Sequence, residues 1–513
     1  MANSHITNNK LLAKNTFVLY LRMFISLAIQ LFTSRLVLQA LGVEDYGIYN
    51  VVGGVVTTLS FINMSLSNAN SRFISVELGA DNQLGLQRLF SCIITIHYLF
   101  AIIIFIIAET VGLWFVINKL VIPADRLTAA IIVYQCSVIS SLITIISSPY
   151  NGLIIAHEKM TAFAAISILS TLSNFIVALL LFISPIDRLV LYAILHVVVQ
   201  ITIRLIYITY CRKHFTESKY KITWDKQLSK NVISFAGWTL TGNIAVVGYT
   251  QGLDIILNLF FGALINAARG VSMQVQSAAR MFCSSFQTAI NPQIMKSYAC
   301  GDYDRMQQLV LTSSRLSYYL MLLIAVPLCV HTQYILELWL GNVPEHAANF
   351  VKVMFAVSLI HTLQNPTMTA IHATGNIKKV QIVESTLLLS VVPIAYIGLK
   401  FFHIKSESVY VVYFFIELVT QFVRVFMIYP KVRIPIRLYF TRVLFPLVIV
   451  TTLSFAIAVL YSIHIDVNTF ISLIIAVLVS LSSTIIIVFF IGLNQQERSF
   501  VMSFIKHRIL HLK

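Results

Sequence analysis

Residues 469–493 read TFISLIIAVLVSLSSTIIIVFFIGL, a stretch with no Asp, Glu, Lys or Arg. As a helix at about 1.5 Å per residue, such a run is longer than the roughly 30 Å hydrocarbon core of a bilayer. Residues 441–463, TRVLFPLVIVTTLSFAIAVLYSI, repeat the pattern with one arginine near the start. The strands of an outer-membrane barrel would alternate apolar and polar instead. Outward from these two runs the whole chain has the same character. Of 513 residues, 58% are hydrophobic and 11% charged, against about 25% charged in an ordinary soluble domain. The mean hydropathy is +0.84. A soluble enzyme, a disordered chain and a coiled coil are excluded, and an all-α polytopic membrane protein is expected.

Apolar runs of spanning length predict about 14 transmembrane helices: 16–38, 46–67, 89–116, 127–149, 162–183, 189–211, 232–258, 264–289, 309–334, 350–373, 380–400, 408–429, 441–463 and 469–492. Spans 2, 7 and 8 are richer in Gly, Ser, Asn and Gln than the rest. The polar N-terminus runs into a first span that reads as an uncleaved anchor. The expected organisation is a six-helix lobe over 1–211, a basic cytoplasmic linker over 212–231, a second six-helix lobe over 232–429, and two additional helices with a tail over 430–513.

The net charge of +16 comes from 36 Lys and Arg against 20 Asp and Glu. In a soluble chain it would suggest nucleic acid, but here it follows the membrane. With the N-terminus inside, the cytoplasmic segments hold 23 basic residues and the outside loops five. That asymmetry orients a polytopic chain. It predicts both termini and 212–231 in the cytoplasm, and no nucleic-acid partner. Eight basic residues remain within spans: Arg22, Arg35, Arg204, Arg269, Arg280, Arg315, Lys352 and Arg424. A charge near the bilayer centre costs about 2.5–3.5 kcal/mol on insertion scales. Arg204, Lys352 and Arg424 lie near span ends and can snorkel. Arg280 is mid-span and needs a wet cavity or a partner.

A shift of 220 residues lays 42–98 over 262–318 with nine identities in 57 positions. The match is weak, but it sends span 2 to span 8 and span 3 to span 9. An offset of six spans preserves membrane direction, so the two lobes would be a parallel pseudo-repeat, with spans 13 and 14 as additions.

Span 8 carries the most informative polar pattern. Arg269 and Arg280 differ by about 20° in azimuth and about 16 Å along an ideal helix. Gln276 and Gln287 share their face, with Ser272 and Ser284 near it. Two readings compete: interhelical hydrogen bonding, and a water-filled lumen that receives an anion. On span 7, Thr239, Asn243, Thr250 and Asp254 form a similar stripe. Asp254 either pairs with an arginine or couples transport to protons or a cation. Arg22 and Arg35 on span 1 differ by about 140°, so a straight helix cannot aim both at one cavity. Glu417, Gln421 and Arg424 share a face of span 12 and suit an intrahelical pair. Glu384 and Gln381 lie near the start of span 11. Asn365-Pro366 predicts a kink in span 10.

Catalytic and cofactor motifs are lacking in the sequence: no HExxH, GxSxG, Walker A or GxGxxG. The six cysteines form no CxxC pair, and His97, His196 and His361 are isolated. No enzyme activity, metal or cofactor is expected. Any transport would draw on a gradient, the membrane potential or the substrate's own gradient.

Several elements resemble one family. Ser34-Arg35-Leu36 leads into Leu41-Gly42-Val43-Glu44-Asp45-Tyr46-Gly47-Ile48-Tyr49. Pro149-Tyr150-Asn151-Gly152 precedes Ala156-His157-Glu158-Lys159-Met160. Asp254-Ile255-Ile256-Leu257-Asn258-Leu259-Phe260-Phe261-Gly262 is followed by Asn266-Ala267-Ala268-Arg269-Gly270, then Asn291-Pro292-Gln293-Ile294 and Gly301-Asp302-Tyr303. Together they resemble Wzx-type polysaccharide flippases, of O-antigen and capsule repeat units, in the multidrug/oligosaccharidyl-lipid/polysaccharide exporter superfamily. The resemblance implies two six-helix lobes around a central lumen and alternating access. It implies an inner-membrane carrier of undecaprenyl-pyrophosphate-linked oligosaccharide, serving lipopolysaccharide or related glycans. Membrane lipids, a polysaccharide polymerase and chain-length machinery would be its partners. Arg35, Asp254 and Arg269 lie within the matched elements. Arg22, Arg280, Arg315, Arg424, Asn243 and Gln276 as substrate contacts, and Glu417 beside Asp254 as a coupling or ion-pair residue, rest on helix geometry. The alternative is a gradient-driven small-molecule exporter of the same superfamily. Exporters of organic cations would want intramembrane carboxylates, whereas basic residues outnumber acids in these spans.

Overall fold

A computed structural model describes residues 2–499 and 502, apart from 58–59, 81, 119–121, 222–224, 262, 341–342 and 465–468. The expected cytoplasmic tail beyond 502 lies outside the described residues, as does Gly262 of the repeat. The chain is all-helical, with no strand among the described residues.

The helices run α1 Ala2–Thr57, α2 Ser60–Gly79, α3 Gln83–Ile107, α4 Leu113–Asn118, α5 Leu127–Ala156, α6 Met160–Ile183, α7 Arg188–His214, α8 Lys226–Phe261 and α9 Ala263–Ala299. There follow α10 Tyr303–Val330, α11 Thr332–Leu340, α12 Ala347–His361, α13 Gln364–Thr374, α14 Lys378–Phe402, α15 Ser408–Val432, α16 Ile436–Tyr439, α17 Phe445–His464 and α18 Phe470–Ile487. Twelve described helical stretches are long and apolar enough to cross a membrane. Expected spans 2 and 8 are not among them. Both regions are helical, but their Ser, Asn, Gln and Arg content lowers the hydropathy, so the count of 14 is not reached on apolarity alone. The chain is a multi-pass membrane protein.

Expected span 2 also begins differently. Gly42 breaks α1 with φ 78° and ψ 172°, a backbone region open essentially to glycine alone. Past this corner Asp45 pairs with Arg126, which also pairs with Asp187 at 2.5 Å. Arg188 donates to the Ala40 carbonyl at 3.0 Å. The Leu41–Tyr49 element is thus a braced corner. Expected span 10 appears as α12 and α13, broken at Thr362–Leu363, with Pro366 in the first turn of α13. There its missing N–H costs no helical bond.

Among the described residues three π turns interrupt the α geometry: Ala108–Gly112, Phe440–Leu444 and Val488–Gly492. Tyrosine hydroxyls bond to carbonyls of two of them. Tyr134 donates to Ala108 O at 2.6 Å, and Tyr319 donates to Gly492 O at 3.3 Å.

The chain forms two compact units, one of residues 1–244 and 288–302, the other of 245–287 and 303–513. These boundaries differ from the segment boundaries expected from the sequence, because α8 and α9 each contribute a stretch to both units. In the first unit, Ile48, Val52, Ala130, Tyr134 and Leu189 form a buried core. His97 is fully buried and satisfied there. Its Nδ1 donates to Ile93 O at 2.9 Å, so its Nε2 accepts from Asn70 at 3.2 Å. In the second unit, α14 and α8 approach closely at Gly252, where an added Cβ would stand 2.7 Å from Val392 Cγ2. Small residues at such crossings let membrane helices touch.

Candidate substrate site

The second unit buries a connected set of polar side chains. Arg269 of α9 pairs with Asp254 of α8 and donates to the Tyr410 hydroxyl of α15. Its Nη2 also donates to Thr250 O at 3.1 Å. Along α9, Gln276 donates to Ser358 Oγ at 2.6 Å and Met354 O at 3.3 Å, both on α12. Gln287 donates to Ser317 Oγ of α10 and to Thr362 O, each at 3.2 Å. Arg269, Gln276 and Gln287 therefore hold helices together. Ser284 faces outward.

Arg280 differs. It is half-buried, its Nε is enclosed, and among the described residues it has no ion-pair or hydrogen-bond partner. Its charge acts on Tyr249, Tyr413 and His361. Tyr249 and Tyr413 share a hydroxyl–hydroxyl bond of 2.7 Å.

Deeper along α15 lies a second charged cluster. Arg424 is 1% exposed and donates to Glu384 at 2.5 Å, Glu417 at 2.9 Å and Gln421 at 3.0 Å. Gln364 donates to the same Glu384 oxygen at 2.6 Å, and Gln421 donates to the Tyr439 hydroxyl at 3.1 Å. Two carboxylates thus share one guanidinium, and Glu384 Oε2 and Glu417 Oε2 are buried without a hydrogen-bond partner. Arg424 does not snorkel; it is enclosed by acids.

Arg315 is also committed. It pairs with Glu497 at 2.5 Å and donates to Gly492 O at 3.4 Å, tying α10 to the end of the last span. The remaining candidates lie in the first unit. Arg22 is half-buried, 4.9 Å from the Phe163 ring centre, and its Nε has no hydrogen-bond partner. Arg35 is exposed. Asn243 donates to Ser65 Oγ at 2.8 Å. In the same unit the Glu158 carboxylate takes bonds from Lys296 at 2.9 Å and Gln293 at 3.2 Å.

The sequence reading missed Tyr249, Tyr410 and Tyr413. Their signal was available: Tyr410, Tyr413, Glu417, Gln421 and Arg424 recur at steps of three and four, one face of a helix.

The sequence matches the model of a family described as polysaccharide biosynthesis protein over residues 12–333. The chain belongs to this family. No curated protein matches it. Among solved structures it is similar to MATE in complex with MaD3S, with a TM-score of 0.72 and 12% identity over 83% of this chain and 96% of the other. It is similar to a MOP superfamily transporter from Pyrococcus furiosus, described as having a binding pocket of reverse polarity that suggests a different function. There the TM-score is 0.68 and the identity 11%, over 82% of this chain and 96% of the other. The MATE transporter ClbM in complex with Rb+ gives a TM-score of 0.68 and 15% identity, over 84% and 97%. The chain has the fold of these MATE and MOP superfamily transporters.

Proposed function

We propose that the protein flips undecaprenyl-pyrophosphate-linked oligosaccharide across the cytoplasmic membrane by alternating access, with both termini in the cytoplasm. Arg280 carries the reading. A half-buried arginine in a membrane helix, with no partner among the described residues, is a standing demand for an anion. Pyrophosphate meets that demand through charge-assisted, bidentate hydrogen bonds. Arg22 and Arg35 are further candidate contacts for the anionic head or glycan. Arg269, Gln276 and Asn243, already bonded to protein, would keep the helices in place around the cargo. Arg315 and Arg424 act through carboxylates and serve architecture. The Glu384–Arg424–Glu417 cluster carries one surplus negative charge in a membrane interior, which suits a coupling proton or monovalent cation. A polymerase and chain-length machinery would take the product on the far side.

The test is flipping of a lipid-linked oligosaccharide in proteoliposomes at matched protein quantity. Arg280→Ala should stop flipping, and a deletion strain should accumulate the lipid-linked intermediate on the cytoplasmic face. Normal flipping by Arg280→Ala would overturn the anion-binding role.

A further inference from the structure

The second unit contains two cavities that meet at one residue. The larger, of about 1220 Å³, lies among α10, α12, α15 and α17, with Phe355, Leu359, Phe414, Phe455 and Val459 in its wall. Among the described residues Lys352 is its only charged lining residue. The smaller, of about 590 Å³, has a mixed wall: Lys352 lines it too, with Lys405, His346, Asn349, Ser406 and Glu407 beside Phe261, Ile265 and Val411. An apolar shaft and a cationic mouth thus adjoin at Lys352, which lines both, and both belong to a single compact unit.

Two lysines line the mouth against one carboxylate, Glu407, while Glu345, 77% exposed, stands outside the lining at 3.7 Å from His346 Nε2. Glu407 is taken by His346 at 2.5 Å, Asn349 at 3.2 Å and Ser406 at 3.1 Å. Lys352 and Lys405 are exposed and have no acid partner among the described residues. The mouth lies at the end of the bundle that the charge asymmetry assigns to the outside.

We propose that this pair of cavities is a binding site for an anionic phospholipid of the surrounding bilayer, with acyl chains in the shaft and phosphate at Lys352 and Lys405. An amphiphile is the one ligand class that satisfies both halves: hydrocarbon against Phe and Leu, and an anion against two free ammonium groups. The transported lipid is a poorer occupant. Arg269 and Arg280 line neither cavity, and the site is built within one unit by helices that pack on one another.

The experiment is native mass spectrometry of the full-length protein, delipidated in detergent and offered phosphatidylglycerol, phosphatidylethanolamine or undecaprenyl phosphate. Phosphatidylglycerol should be retained in preference to phosphatidylethanolamine. Lys352→Ala and Lys405→Ala should each lower its retention about fivefold, while Arg204→Ala leaves it unchanged. Ala356→Phe, which narrows the shaft, should reduce retention of both phospholipids. Both lysines are exposed, so their variants test the proposal even where Ala356→Phe expresses poorly. Equal retention by the parent and both lysine variants would overturn it. So would retention of undecaprenyl phosphate in preference to phosphatidylglycerol, which would give the cavity to the cargo.

Discussion

Arg269 and Asp254 form an ion pair whose two halves are unequally sheltered: the arginine side chain is 6% exposed and the aspartate 33%. Removing either partner strands the other, but the penalties differ. Asp254→Asn leaves a guanidinium buried, at a cost of about 3 kcal/mol. Arg269→Ala leaves a carboxylate that protein encloses only in part. Membrane abundance and thermal stability in detergent should therefore fall more for Asp254→Asn than for Arg269→Ala. Combining the two should recover much of the loss.

Arg280 should show the opposite profile. With no partner among the described residues, its replacement strands nothing, so Arg280→Ala should insert at parental abundance and lose flipping. Lys should be intermediate, because it keeps the charge and loses the bidentate fork, and Gln should be poor. Arg204, half-buried and 3.3 Å from the Tyr98 hydroxyl, should tolerate Ala. Flipping rates in proteoliposomes give the order.

Arg424 should be a stability residue. Arg424→Ala leaves Glu384 and Glu417 unbalanced in the interior, a loss of about 3–5 kcal/mol. Little protein should reach the membrane. Changing both acids to Gln in the same chain should restore abundance, measured by quantitative blotting of membranes.

Glu407 lies between α14 and α15, outside the spans. Burial opposes its ionisation, but bonds from its own backbone N–H, His346, Asn349 and Ser406 prevail and hold its pKa at about 2. A folded-state pKa below the unfolded one gives stability that is present above the usual carboxylate range. That stability is lost as pH falls from there toward about 2. It amounts to at most about 3 kcal/mol. Melting curves between pH 7 and pH 3 should show an acid limb that Glu407→Gln flattens.

Cys300, in the turn between α9 and α10, is exposed, whereas the other five cysteines are buried or half-buried. If that turn is cytoplasmic, an impermeant thiol reagent should label inverted vesicles and spare intact cells. Labelling of intact cells that disappears in Cys300→Ser would reverse the orientation.

Hydropathy made most spans legible because lipid demands unbroken apolar runs. It failed at 43–79 and 263–299, where helices carry polar residues that other helices satisfy. The stripe on α9 was visible as spacing, but its use was not. Gln276 and Gln287 look the same in sequence whether they face water or Ser358 and Ser317. Arg424 read as a residue able to snorkel because sequence distance to Glu384, 40 positions away, says nothing of proximity. Tyr410 and Tyr413 escaped notice because tyrosine is counted with the hydrophobic residues.

Each of the three π turns holds one residue more than an α-helix of its length requires. Excising one residue from 108–112 would restore α geometry and leave the following segment facing as it does now, because the wider turn has absorbed the extra residue. Trp114, now turned outward, would keep its face. The same holds at 440–444 and 488–492. In homologous chains these are the places where single-residue gaps should fall inside helices. An alignment that forbids gaps there would shift the register of every residue beyond them, up to the next loop able to absorb the error.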